Sequence, residues 1–143
     1  MANVIARADV MPLLLDACPS FAESWREAEQ QNADDESLGG RLYYMDAGDF
    51  IRHLVSLLLA NDTSEFPAVF DVIERLILEG DPYVSELAVI GYLEDCQMMT
   101  VTSAGLDPER DFRPWLRPES AKWWDRLNRF WAGDATALRH DDA

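Results

Sequence analysis

The chain has 143 residues, 48% of them hydrophobic, which is the length of one domain and enough apolar mass to fold without disulfides or a structural metal. Lys+Arg 12 against Asp+Glu 27 leave a formal charge of −15 and a pI near 4.3, a field that repels nucleic acid and anionic membranes and attracts a basic protein surface. Cys18 and Cys96 lack metal-ligand spacing and read as core thiols of a reducing compartment; with no signal peptide and no membrane-length apolar run, the expected location is the cytoplasm.

Asp9-Val10-Met11-Pro12 opens a short helix through Leu13, Leu14 and Leu15, with Asp9 as its cap and Pro12 in its first turn; Pro19 stops it. Ser20-Phe21-Ala22-Glu23 then has the form of a capping box, in which serine and glutamate satisfy each other's backbone amides. The helix it starts carries Phe21, Trp25 and Ala28 at helical spacing and ends in the acidic loop Asn32 to Ser37, which holds Asp34, Asp35 and Glu36. Gly39-Gly40 breaks the chain ahead of Leu42-Tyr43-Tyr44-Met45, a connector or the first turn of the next helix. No lysine follows these glycines at phosphate-loop spacing. From Asp46 or Asp49 to Ala60 the run around Phe50, Ile51, Leu54 and Val55 predicts a third helix, and its lone His53 reads as a packed or surface residue.

Ser64 is placed to cap a fourth helix with the periodic face Phe66, Val69, Phe70, Ile73, Leu76 and Ile77. Gly80-Asp81-Pro82 then ends one helix and starts another: glycine as the left-handed residue, aspartate as the cap, proline in the first turn. The helix over residues 82–98 is apolar on nearly every side, at Tyr83, Val84, Leu87, Ala88, Val89, Ile90, Tyr92 and Leu93, and so belongs at the centre of a bundle. Gly91, costly inside a helix, marks a close crossing by a neighbour. Pro108, Pro114 and Pro118 divide a more basic linker, and the last helix carries Trp123, Trp124, Leu127, Phe130 and Trp131 as an aromatic clamp. Gly133 ends it. The expectation is an all-α, single-domain bundle of five to six helices over residues 1–133, with 134–143 as a frayed tail.

Chemistry is harder to find. His53 and His140 are the only histidines, and there is no Cys-x-x-Cys, His-Glu-x-x-His, calcium-loop or dinucleotide pattern. No catalytic residue, metal ligand or cofactor is expected. The acids cluster instead: Glu65, Asp71, Glu74, Glu79, Asp81, Glu86, Glu94 and Asp95 against Arg75 alone in the middle of the chain.

Two stretches carry a resemblance. Gly80-Asp81 through Val84, Leu87, Ile90-Gly91, Leu93 and Glu94 resembles a "GD..V..L..IG.LE" signature. Phe112, Pro114, Leu116, Pro118 and Ser120 with Trp124, Leu127 and Phe130-Trp131 resemble an "F.P.LGP.S...W..L..FW" ending, with Arg117 where that motif has glycine. Together, over residues 40 to 132, they are similar to small all-helical bacterial proteins encoded beside polymorphic or secreted toxins, which look like immunity proteins. The resemblance implies a non-catalytic protein that binds and neutralises a cognate toxin with a basic surface or active site. The expected partner-binding residues are Asp34, Asp35, Glu36, Glu65, Asp71, Glu74, Glu79 and Glu86. Glu94 and Asp95 are weaker candidates for the same surface, pairing with arginines of the last segment being the alternative. The alternatives are a helical adaptor with a host partner and an enzyme built on clustered carboxylates and a metal.

Overall fold

A computed structural model describes residues 4–33, 43–102 and 105–138. They form an all-α, single-domain fold. The helices are α1 (Arg7–Ala17), α2 (Ala22–Ala33), α3 (Tyr43–Leu59), α4 (Phe66–Glu79), α5 (Pro82–Glu86), α6 (Glu94–Thr102), α7 (Pro108–Asp111) and α8 (Pro118–Trp131). A wide π-type stretch, Leu87–Leu93, joins α5 to α6 without a break. Among the described residues no helix is long and apolar enough to cross a membrane.

The apolar run after Pro82 is the centre of the bundle. Val84, Leu87, Ala88, Tyr92 and Leu93 are essentially inaccessible, and α3, α4 and α8 pack around them with Phe50, Ile51, Leu54, Phe70, Ile73, Leu76, Trp124 and Leu127. The close crossing at Gly91 is with α3: a β-carbon there would sit 3.4 Å from Ala47 Cβ and 3.0 Å from Leu87 Cδ1. The helix continues past its expected end at 98 to Thr102.

Asp81 caps α5 by accepting the Val84 amide at 2.8 Å, and Pro82 takes the first helical position, where no donor is required. Gly80 is not left-handed; it is extended, at φ −73° and ψ 154°. Its backbone pairs with the N-terminal segment, for the Ile5 amide donates to the Glu79 carbonyl and the Asp81 amide to the Ile5 carbonyl, each at 2.9 Å.

Other local expectations give way to contacts made at a distance. α1 starts at Arg7, so Pro12 lies inside it, and Asp9 sits in its first turn with its carboxylate accepting the Ala6 amide at 3.0 Å. Ser64 donates its hydroxyl to Asp62 rather than capping α4, whose N-cap position is Glu65. Ser20 sits in a tight 3₁₀ turn, Pro19–Phe21, with both its polar groups directed at Glu65 instead of Glu23. In the last helix Trp123, Trp124 and Leu127 are buried, whereas Phe130 and Trp131 are exposed, so the aromatic clamp closes over only the first half of α8. Past Gly133 the chain turns back far enough to bury Ala137 and pack Leu138 on the core.

Candidate partner-binding surface

The sequence-derived acids divide into two groups. Asp34, Asp35 and Glu36 lie outside the described residues. Of the rest, three are engaged in holding helices together. Glu74 on α4 accepts the Glu119 amide (3.0 Å), the Ser120 amide (2.8 Å) and the Ser120 hydroxyl (2.8 Å), and thereby caps the start of α8 from another helix. Asp71, one turn earlier, pairs with Arg117, the residue just before α8. Glu79 pairs with Arg75 on its own helix at 3.2 Å, and Glu86 is exposed on α5.

Glu65 belongs to a cluster that periodicity alone does not reveal. The Ser20 hydroxyl donates to Glu65 Oε1, the Ser20 amide donates to Glu65 Oε2 at 3.1 Å, and His53 Nε2 lies 2.8 Å from Ser20 Oγ. A hydroxyl carries one proton; since it goes to Glu65, His53 is the donor to Ser20. That wiring is the reverse of a serine nucleophile with a histidine base, in which the ring accepts the hydroxyl proton. Cys18 Sγ completes the cluster 3.7 Å from Glu65 Oε1, and burial pushes its thiol up to about 11, leaving it protonated at neutral pH. Burial also pushes His53 below its ordinary value, against the pull of Glu65. The cluster ties the turn before α2 to α3 and to the start of α4. The signal for it was present as Cys18, Ser20, His53 and Glu65, but residues drawn from three separate segments have no common spacing.

A different surface gathers carboxylates with exposed apolar groups. On α3, Tyr44 and Met45 are 39% and 58% exposed; on α6, Met98 is 49% exposed. Glu94 and Met98 stand one turn apart on α6. Tyr44 lies close enough to Glu86 and Glu94 for both carboxylates to help raise its pKa, after the larger effect of burial. A β-carbon on Gly48 would be 3.8 Å from both Asp95 Oδ2 and Met99 Cε, which places α6 directly beside α3 here. The base that Asp95 feels is Arg52 of α3, not an arginine of the last segment.

Asp95 is raised to about 6, first by burial and then by Glu94, with Arg52 pulling the other way. A carboxyl with a folded-state pKa above its unfolded value near 3.8 contributes stability that is complete below pH 4 and lost as the pH rises through 6. Asp95→Asn removes that loss. Its stability is expected to exceed that of the unsubstituted chain at pH 7.5, by about 1 kcal/mol once solvent screening of a half-buried group is allowed for, and to match it near pH 4. Thermal melts at the two pH values measure this; an equal difference at both would mean that the carboxyl titrates normally.

Among the described residues no group of three or more His, Cys, Asp or Glu side chains is arranged to hold a metal ion. The family model of an uncharacterised domain, described as "Domain of unknown function (DUF7674)", matches residues 11–132. No curated protein and no solved structure matches the chain.

Proposed function

The chain belongs to the DUF7674 family, and from the chemistry of its own surface we propose that it is a non-catalytic protein-binding module of the immunity type, which neutralises a cognate bacterial toxin through an acidic surface. The observation that carries the reading is the mixed face of α3, α5 and α6. Glu86 and Glu94 stand there close to the exposed Tyr44, Met98 is exposed one turn on from Glu94, and half-buried Asp95 lies beside Gly48 of α3. Tyrosine and methionine are enriched in interfaces because they bury large areas and adapt in shape, and carboxylates among them select a basic partner and speed its approach. Of the chain's own bases Arg52 reaches this face, near Asp95, and is itself paired with Asp49. Arg75, Arg110, Arg113, Arg117 and Lys122 are each paired with an acid elsewhere on the chain.

The same field disfavours nucleic acid and anionic membrane, and a toxin acting inside the cell would be met in the cytoplasm. Glu65, Asp71, Glu74 and Glu79 drop out of the proposed contact set because each is engaged within the chain; Glu86 and the loop acids Asp34, Asp35 and Glu36 remain in it.

Co-expression with the product of the adjacent upstream reading frame tests the function. Restored growth and a one-to-one complex are expected. Neutralising Glu86, Glu94 and Asp95 together should then slow association about tenfold and flatten its salt dependence. The Asp34, Asp35 and Glu36 triple variant tests the loop in the same way. An adaptor instead would form a complex with a host protein, and the upstream product would be neither toxic nor bound.

A further inference from the structure

A groove of about 780 Å³ shares Glu86 with the mixed face of α3, α5 and α6 and lies between the helix beginning at Pro82 and a second wall made by Trp123 of α8 and Leu138. Pro82, Glu86 and the pair Val89-Ile90 follow one another at helical spacing. One wall is therefore a stripe two turns long, about 10 Å. The wall runs into the wide turns of Leu87–Leu93, a helix form that is rare and recurs at binding sites.

The groove is apolar apart from one charge. Val89, Ile90, Trp123 and Leu138 supply its surface, and the Ser85 hydroxyl is already donated to the Ile77 carbonyl at 3.1 Å. Glu86 is the one titratable group among the lining residues, and it is exposed. Arg126, whose guanidinium lies 4.7 Å from the Trp123 ring centre, is itself buried. Among the described residues after α8, Ala137 is buried and Leu138 forms part of the groove wall.

We propose that this groove receives the apolar face of a cationic amphipathic segment of a protein partner, with a lysine or arginine of that segment on Glu86. The inference rests on the reading of the chain as a partner-binding protein and adds an apolar anchor site to its acidic face. A volume within the range of about 300–1,000 Å³ found for pockets that bury a bound group suits several apolar side chains in a row. A stripe of helical pitch facing a second wall suits a helix laid in a groove. Charge selects the sign: an exposed carboxylate at the rim of a molecule of charge −15 favours a basic segment over an acidic one.

The test uses the full chain and three synthetic peptides, each about twelve residues or three helical turns long. The first has leucines at helical spacing with lysines elsewhere, the second replaces its lysines by glutamates, and the third replaces its leucines by serines. The leucine-lysine peptide is expected to bind and to shift the NMR signals of the Ile90 and Leu138 methyls and the Trp123 indole. Glu86→Lys should weaken it about tenfold or more, and Ile90→Ser should weaken it with the far-UV circular dichroism of the free chain unchanged. Equal binding of the serine-lysine peptide, or shifts confined to Tyr44 and Met98, would overturn the proposal. That failure is separate from failure of the toxin reading, which falls when the co-expressed chain forms no complex.

Discussion

Gly80→Ala is expected to lower the unfolding midpoint by about 10 °C or more, the equivalent of roughly 3 kcal/mol in a domain of this size. Conformation is not the reason, since extended backbone at φ −73° accepts any residue. The reason is space. A β-carbon at Gly80 would run into the Leu76 carbonyl oxygen and come within 2.6 Å of Val84 Cγ1. Neither can yield cheaply: Leu76 is wholly buried and its carbonyl already accepts the Gly80 amide, while Val84 is wholly buried in the first turn of α5. Moving α5 away would strain the Asp81 cap and the pairing of Ile5 with Glu79 and Asp81. Thermal melts followed by circular dichroism measure the effect. A loss under 3 °C would mean that the joint between α4 and α5 has slack.

Glu74→Gln is expected to cost about 2–3 kcal/mol, although the substitution is nearly isosteric. Both carboxylate oxygens are engaged by donors, Oε2 by the Glu119 amide and Oε1 by the amide and hydroxyl of Ser120. A glutamine keeps one acceptor and turns an NH₂ group toward a donor, leaving a part-buried amide without a partner. The loss falls on α8, whose own cap residue, Arg117, supplies no capping group. Urea unfolding is the appropriate measurement, because a lower midpoint with an unchanged m-value reports lost stability rather than a changed unfolded state. A midpoint shift under half a kcal/mol would show that water replaces the missing acceptor. Asp71→Asn, at an exposed pair with Arg117, should cost far less.

The Glu74 contact shows how the candidate site differs from its sequence reading. Glu65, Asp71 and Glu74 look like a solvated acidic face when α4 is drawn as a helix in isolation, since they lie off the apolar stripe of Phe66, Val69, Phe70 and Ile73. Two of them face backbone amides at the starts of other segments, and Asp71 faces Arg117. Periodicity separates wet from dry faces but does not say which wet face meets another helix end. Glu94 and Asp95 illustrate the converse: weaker candidates on the sequence, with pairing to the last segment as the alternative, they lie against α3, Glu94 near the exposed Tyr44 and Asp95 near Gly48 and Arg52.

Within the chain alone, the period of the apolar residues determined that the fold is all-α and which helix lies at its centre. Proline, aspartate and glycine at positions 80–82 determined where that helix begins, and Gly91 determined where it is crossed, because these are short-range matters of steric fit and backbone donors. The tertiary structure decided which polar residues act across distance. Ser20 could close a box with Glu23 and Ser64 could cap α4, yet Ser20 turns to Glu65 and Ser64 to Asp62. A hydrogen bond to a neighbour in sequence and one to a residue on another helix are similar in energy, so the choice falls to whichever geometry the packed core permits.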